Sequence, residues 1–355
     1  YTYLISDTAA AVAAGASATA NGATSITCTG TAATGPEATT LAGLTSTITY
    51  NISDSAAVLA AATTSTAGLN GAVNIVATGD VATAAAATKL LAATNSGTTV
   101  IAAVTATSAD AKNLTLTSND TITTLTVSGT TSIADAVTIN AKDTGSNIGT
   151  VAFLAITGSA ADIIANITEA KLATTITVTG TVTVAQAETL RANDAVNDST
   201  ADTFVYSISD TYTNLMLDTN SDATTDNDAA ITQASSVTVT DNLTIEQALL
   251  IKSIDTTGTY VYNIVDNDAN IVDALTSTAT VNSVSNGYQA ILAGAASVKG
   301  ESGTALTIKT VGSVTAIEGT KATIDSLSSI FNASNTSSRV RYATTLSDLT
   351  SNTDF

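Results

Sequence analysis

A short block of residues returns along this chain, and its recurrence limits the possible folds more than any other feature. Tyr50-Asn51-Ile52-Ser53-Asp54 comes back as Tyr206-Ser207-Ile208-Ser209-Asp210 and as Tyr262-Asn263-Ile264-Val265-Asp266. Tyr3-Leu4-Ile5-Ser6-Asp7 is the same block. A second block reads Ile176-Thr177-Val178-Thr179-Gly180, followed by Val184, Gln186-Ala187 and Leu190. Its relatives are Val237-Thr238-Val239-Thr240-Asp241 with Ile245 and Gln247-Ala248-Leu249, then Ile26-Thr27-Cys28-Thr29-Gly30, then Leu125-Thr126-Val127-Ser128-Gly129. The two blocks largely alternate. Markers that end each block fall at Asp7, Gly30, Asp54, Gly79, Thr107, Gly129, Gly158, Gly180, Asp210, Asp241, Asp266, Asn286 and Gly312, spaced 20 to 31 residues apart with a mean of about 25. Repeats of roughly 20–45 residues are the signature of solenoids, in which each unit packs only on its neighbours.

Each block opens with period-2 alternation. Tyr50 and Ile52 share one face and Asn51 and Ser53 the other, which predicts a short strand with one buried side. The inward set is then Ile52, Val178, Ile208, Val239 and Ile264. Gly or Asp at the marker fits a turn, because Gly tolerates unusual backbone angles and Asp accepts hydrogen bonds from free N–H groups of the next segment. Helix formers follow, as in Ile245-Glu246-Gln247-Ala248-Leu249-Leu250 and Val184-Ala185-Gln186-Ala187-Glu188. Pro36-Glu37 suits a first helical turn. These patterns predict a β-rich repeat solenoid of about thirteen coils, each with one parallel strand followed by a short helix or arc. An all-β right-handed β-helix is the alternative, and an ordinary β-sandwich is the non-repetitive one. The solenoid is expected to run as a single element over residues 1–355. Residues 313–355, where the repeat fades, form an irregular or terminal segment with a last strand at Val340–Thr344. The opening Tyr1, without an initiator Met or a signal peptide, reads as a processed or excised piece.

The alternating blocks resemble repeats of long secreted surface proteins and adhesins of bacteria, cyanobacterial and marine species above all. The Thr- and Ala-rich, His-free composition is similar to that of surface-layer proteins. The resemblance covers most of the chain and implies an extracellular, cell-surface location and a structural role. The Gly-Gly-x-Gly-x-Asp calcium nonapeptide common in such proteins is absent.

Composition excludes several functions. With no His, the chain lacks Ser-His-Asp and Cys-His machinery and imidazole metal ligands. It has neither a phosphate loop nor a dinucleotide fingerprint. Thirty acidic against eleven basic residues give a net charge of −19, which opposes nucleic acid and favours solubility and divalent cations. No apolar run approaches the length of a membrane span. The chain is therefore expected not to be an enzyme, not to bind nucleic acid and not to insert in membranes. Cys28, the one cysteine, occupies the inward slot held by Val178 and Val239 in sister coils and reads as a small buried hydrophobe.

One segment carries candidate ligands. Asp218, Asn220, Asp222, Asp226 and Asp228 place oxygen donors at near-alternating positions, as a Ca²⁺ loop does. Ala223 stands where an EF-hand has its turn Gly and Ala229 where it has the bidentate Glu, so Ca²⁺ competes with a plain solvated loop. Asp266-Asn267-Asp268 with Asn270 is a weaker candidate. The leading expectation is a surface structural element: an S-layer, sheath, filament or adhesin segment whose partners are other copies of itself or the continuation of a longer chain. The alternatives are an ice- or glycan-binding solenoid acting through its Thr-x-Thr face, and a phage fibre or other viral appendage.

Overall fold

The computed structural model describes residues 2–15, 17–61, 65–143, 145, 147–194, 204–217, 228–277, 279–281, 287–300, 305–311, 314–319 and 340–342. The chain divides into two compact units, residues 1–177 and 178–355.

The first unit alternates strand and helix. In chain order it holds β1 (Leu4–Asp7), α1 (Ala9–Ala14), α2 (Ser17–Asn21), β2 (Ser25–Cys28), α3 (Gly35–Ala42), β3 (Thr47–Thr49) and β4 (Ile52–Asp54). Then come α4 (Ala56–Ala61), α5 (Ser65–Gly71), β5 (Ile75–Ala77), β6 (Ala82–Thr83), α6 (Ala84–Leu91), β7 (Thr99–Thr107) and α7 (Ser108–Asn113). The unit continues with β8 (Asp120–Ser132), α8 (Ile133–Asn140), β9 (Ile148–Ser159), α9 (Ala160–Ala165) and α10 (Ile167–Ala170). β1, β2 and β3 pair in parallel, Ile5 opposite Ile26 and Ile26 opposite Ile48. β4, β5, β7, β8 and β9 form a second parallel run in that order, with β6 beside β7. Parallel neighbours require a crossover, and the helices supply it.

β10 (Ala173–Val182) spans the division. The second unit holds α11 (Val184–Asp194), β11 (Phe204–Asp210), α12 (Tyr212–Leu215), α13 (Asp228–Gln233), β12 (Val237–Leu243), α14 (Ile245–Ile254) and β13 (Tyr260–Asp266). α15 (Asp268–Thr276), α16 (Gly287–Gly294), β14 (Ser297–Gly300), β15 (Ala305–Val311), β16 (Val314–Gly319) and β17 (Val340–Tyr342) follow. β11 to β14 pair in parallel. The direction then reverses: β14–β15 and β15–β16 are antiparallel, and β17 returns parallel to β16. The fold is thus of mostly parallel strands in a large sheet with intervening helices. The all-strand alternative is overturned, because helices separate the strands wherever the sequence offers a cap followed by Ala, Leu, Glu or Gln. α3 and α14 begin with full capping boxes, Thr34 with Glu37 and Thr244 with Gln247. Among the described residues no helix is long and apolar enough to cross a membrane.

Burial follows the parity read from the blocks. Ile52, Val178, Ile208, Val239 and Ile264 are all buried, at 6% exposure or less, whereas Thr177, Thr179 and Thr240 are exposed. Fully burying a Val or Ile stabilises by about 1.5–3 kcal/mol, so this parity fixes which face of each strand is core.

Three expectations need correction. First, three second-block markers, Gly129, Gly180 and Asp241, do not end strands, whereas β2 does end at Cys28, just ahead of Gly30. β8 runs on past Gly129 and β12 past Asp241, and the register shifts between Val127 and Thr130 and between Thr238 and Asn242. These positions are bulges, and Gly129, at φ 73°, takes the left-handed backbone that a side chain resists. The first-block Asp7, Asp54, Asp210 and Asp266 do end their strands. Second, Asp is not the N-cap. Thr8, Thr211 and Asn267, each one residue later, accept from the third helical N–H. Third, Cys28 is only half-buried. Its rung partner is Asp7 on the edge strand β1, which leaves one side uncovered. Burial first, then the charges of Asp7 and Glu37, push its thiol pKa up.

Candidate functional site

Among the expected ligand residues, Asp218, Asn220, Asp222 and Asp226 lie outside the described residues, and Asp228 begins α13. Among the described residues no three His, Cys, Asp or Glu side chains gather as a metal cage. The weaker candidate resolves differently from a cation loop. Asp266 Oδ1 accepts from Asn267 N–H at 2.8 Å and from Asn270 Nδ2 at 2.7 Å, and its Oδ2 accepts from Ile245 N–H at 2.9 Å. Its lone pairs face donors, which is the environment of a structural carboxylate.

Asp266 also borders a hollow of about 330 Å³, lined by Glu246, Asn270, Asp273, Ser277 and Tyr288 among others. The Glu246 charge beside Tyr288, then partial burial and a hydrogen bond to Glu246, push the phenol pKa up.

The geometry that does recur joins the end of a strand to the start of an earlier helix. Asp266 reaches back from β13 to the first N–H of α14, the helix that precedes it. Asp54 does the same to Gly35 N–H of α3 at 3.1 Å, Asp210 to Val184 N–H of α11 at 3.0 Å, and Asp241 to Tyr212 N–H of α12 at 2.9 Å. Asp80 clamps two donors of α4, Ala56 N–H at 2.6 Å and Ala57 N–H at 3.0 Å. The first N–H groups of a helix lack partners within it and carry its positive dipole end, so a carboxylate there is doubly favoured. Each latch joins residues 19 to 29 apart in sequence.

Tyrosine supplies a second latch. The Tyr50 hydroxyl donates to Gly68 O, that of Tyr206 to Ala230 O at 2.9 Å, that of Tyr262 to Ile291 O at 2.8 Å, and that of Tyr3 to Thr19 O. The alternation marked these rings as core but gave no sign of where the hydroxyls go. It also missed Gly71 and Gly294, where an added Cβ would stand 3.0 Å from the Tyr50 and Tyr262 hydroxyls. Asp80 was missed because the marker fell on Gly79; an acid directly after a left-handed Gly is the signal that identifies it. On the outer face, polar side chains pair in register. Asn51 Oδ1 accepts from Asn74 Nδ2 at 2.9 Å, Asn74 Oδ1 from Thr98 Oγ1 at 3.0 Å, and Asn263 pairs with Ser297 at 2.7 Å.

These features join strands to helices and to neighbouring strands of the same sheet. No protein-family model, curated protein or solved structure matches the chain.

Proposed function

We propose that this chain is a repeat solenoid serving as a structural element of an extracellular surface assembly: an S-layer, sheath, filament or adhesin segment. The observation that carries the reading is the repeated carboxylate latch. The distinctive acidic and aromatic side chains are spent on holding one coil to its neighbour, in the manner of a protein whose task is to extend and resist. Stability in such a stack is a sum of coil terms and nearest-neighbour terms, so coil-to-coil bonds are where selection for mechanical persistence acts. A net charge of −19 keeps such a rod soluble and spaced from like surfaces. Negative-stain micrographs of native material test the proposal. A lattice, sheath or filament is the expected result, and dispersed compact particles would remove it.

The reading keeps Ca²⁺ as its one cofactor, on the acidic segment at 218–228. Melting in millimolar Ca²⁺ should then exceed melting with a chelator at matched ionic strength, since a ligand of the folded state stabilises by mass action. A second reading, an ice- or glycan-binding face, draws on outward rungs such as Thr27 beside Thr49 and Thr105 beside Thr126. Against it stand outward Val205 and Val261 and the polar ladders already bonded to each other. Thermal hysteresis and glycan-array binding are its tests.

A further inference from the structure

Two Asn-Gly pairs occupy matching turns at the ends of α2 and α5. In Ala20-Asn21-Gly22-Ala23 and in Leu69-Asn70-Gly71-Ala72 the fourth N–H donates to the first carbonyl, at 3.2 Å in both. Asn21 Oδ1 accepts from Thr45 N–H at 2.7 Å and Asn70 Oδ1 from Thr94 N–H at 2.8 Å, each 24 residues ahead. The same neighbouring segments clasp the turns. Ser46 Oγ donates to Ala20 O at 2.7 Å and to Ala23 O at 2.8 Å, and Gly97 N–H and Asn95 Nδ2 donate to Val73 O at 2.8 Å and 3.1 Å. Tyrosine fixes the glycines, because a Cβ on Gly22 would stand 2.5 Å from the Tyr3 hydroxyl and one on Gly71 3.0 Å from that of Tyr50. The chain's third pair, Asn286-Gly287, has its Asn outside the described residues.

Packing thus imposes a reactive dipeptide. A Gly nitrogen has no Cβ beside it and a backbone free to turn, so it reaches the side-chain carbonyl of a preceding Asn more readily than other peptide nitrogens do. Both sites meet water, since Asn21 is exposed and Asn70 half-buried. In the closed turns the reaction is held off. Thr45 N–H and Thr94 N–H keep the amides aimed at the neighbouring segment, and Gly22 N–H is engaged with Ala18 O at 3.2 Å. Ring closure therefore waits for local opening, and helix ends are where opening costs least.

We propose that Asn21 and Asn70 are sites of self-modification by water, gated by the hydrogen bonds that hold them. On opening, the Gly nitrogen bonds to Asn Cγ, the Cγ–Nδ2 bond breaks, and ammonia leaves with the proton of the Gly N–H. Water then cleaves one of the two imide C–N bonds. Cleavage at Cγ leaves Asp, which still offers an oxygen to Thr45 or Thr94 N–H. Cleavage at the main-chain carbonyl leaves isoaspartate, which adds a methylene to the backbone. The added atom moves Ala23 and Val73 out of register with their donors, so the clasp does not re-form. The inference stands independently of the assembly reading.

The test uses the full chain, aged in mildly alkaline buffer either folded or unfolded in urea. Peptide mass spectrometry scores each Asn, and isoaspartyl methyltransferase labelling scores isoaspartate. In the folded chain, modification at Asn21 and Asn70 should exceed that at any other Asn of the described residues, at rates about tenfold or more below those in urea. Tyr50→Phe, which takes the hydroxyl donor from Gly68 O, should raise the Asn70 rate severalfold and leave the Asn21 rate unchanged. Asn70→Asp, which keeps an acceptor, should abolish the mass gain there while Thr94 N–H stays slow to exchange hydrogen. Isoaspartate-bearing chains, separated by ion exchange, should exchange the Thr45 and Thr94 N–H about tenfold or more faster than fresh chain. No modification of either site in the folded chain by the time the unfolded chain is fully converted would overturn the inference. So would equal rates in the folded and unfolded chains, an Asn70 rate indifferent to Tyr50→Phe, or unchanged exchange at Thr45 and Thr94 in the isoaspartate form.

Discussion

Replacing Asp266 by Ala tests the latch directly. The carboxylate is 7% exposed and accepts from Ile245, Asn267 and Asn270. The Asn267 and Asn270 side chains are half-buried and exposed, so the donors at that end regain water when the carboxylate is removed. Ile245 is 3% exposed, so its N–H is left buried and unpaired. An orphaned buried donor costs about 1–3 kcal/mol. Loss of a favourable charge at the start of α14 adds about 0.3–1 kcal/mol. The sum is a destabilisation of about 1–4 kcal/mol, read as a shift of the urea midpoint with unchanged slope and as faster hydrogen exchange through α14. The control is Asp110→Ala, which removes an exposed first-turn acid that accepts from Thr107 of its own helix cap and should cost no more than the helix-end charge, about 0.3–1 kcal/mol. Equal effects from the two substitutions would refute the argument that the bond from Asp266 to Ile245 N–H, rather than carboxylate charge at a helix start in general, carries the stabilisation.

Three further outcomes are expected. Ile264→Ala, at a position with 0% exposure, should lose about 2–5 kcal/mol in urea unfolding, whereas Thr240→Ala on the open face should stay within about 0.5 kcal/mol; equal losses would reverse the assigned faces. Gly129→Ala meets no atom within 4 Å but sits at φ 73°, so its cost should be the backbone strain alone, about 1–2 kcal/mol, and a neutral result in the same assay would show that the bulge relaxes. Burial pushes the phenols of Tyr50 and Tyr262 up to about 12, from the ordinary phenol value of about 10. The folded state then holds protons that the unfolded state releases, so the contribution is intact below about pH 10 and is lost as pH rises from there towards 12; tyrosinate absorbance and melting across that window should show it, and Tyr262→Phe should remove its share of the slope.

Local chemistry already determines much of this protein. Period-2 alternation places Ile52, Val178, Ile208, Val239 and Ile264 on the core face, because adjacent side chains of a strand must point to opposite sides. Thr or Ser ahead of an Ala-, Leu-, Glu- or Gln-rich stretch gives the helices, since the cap satisfies a donor that nothing else nearby satisfies, and Gly at 129 and 180 announces a left-handed backbone. Tertiary structure decided what these signals mean for the chain as a whole. The turn expected at Gly129 proved to be a bulge, because pairing with β9 resumes beyond it. Asp266 and Asp54 were read as partners for the following segment, yet their second oxygens belong to helices about twenty residues earlier. That choice depends on parallel pairing, which brings a strand end beside the start of the helix before it, and no local pattern encodes that proximity. The same holds for the half-exposure of Cys28: its sequence slot is that of Val178, but its neighbour across the rung is an edge strand, and burial is a property of what lies next door in space.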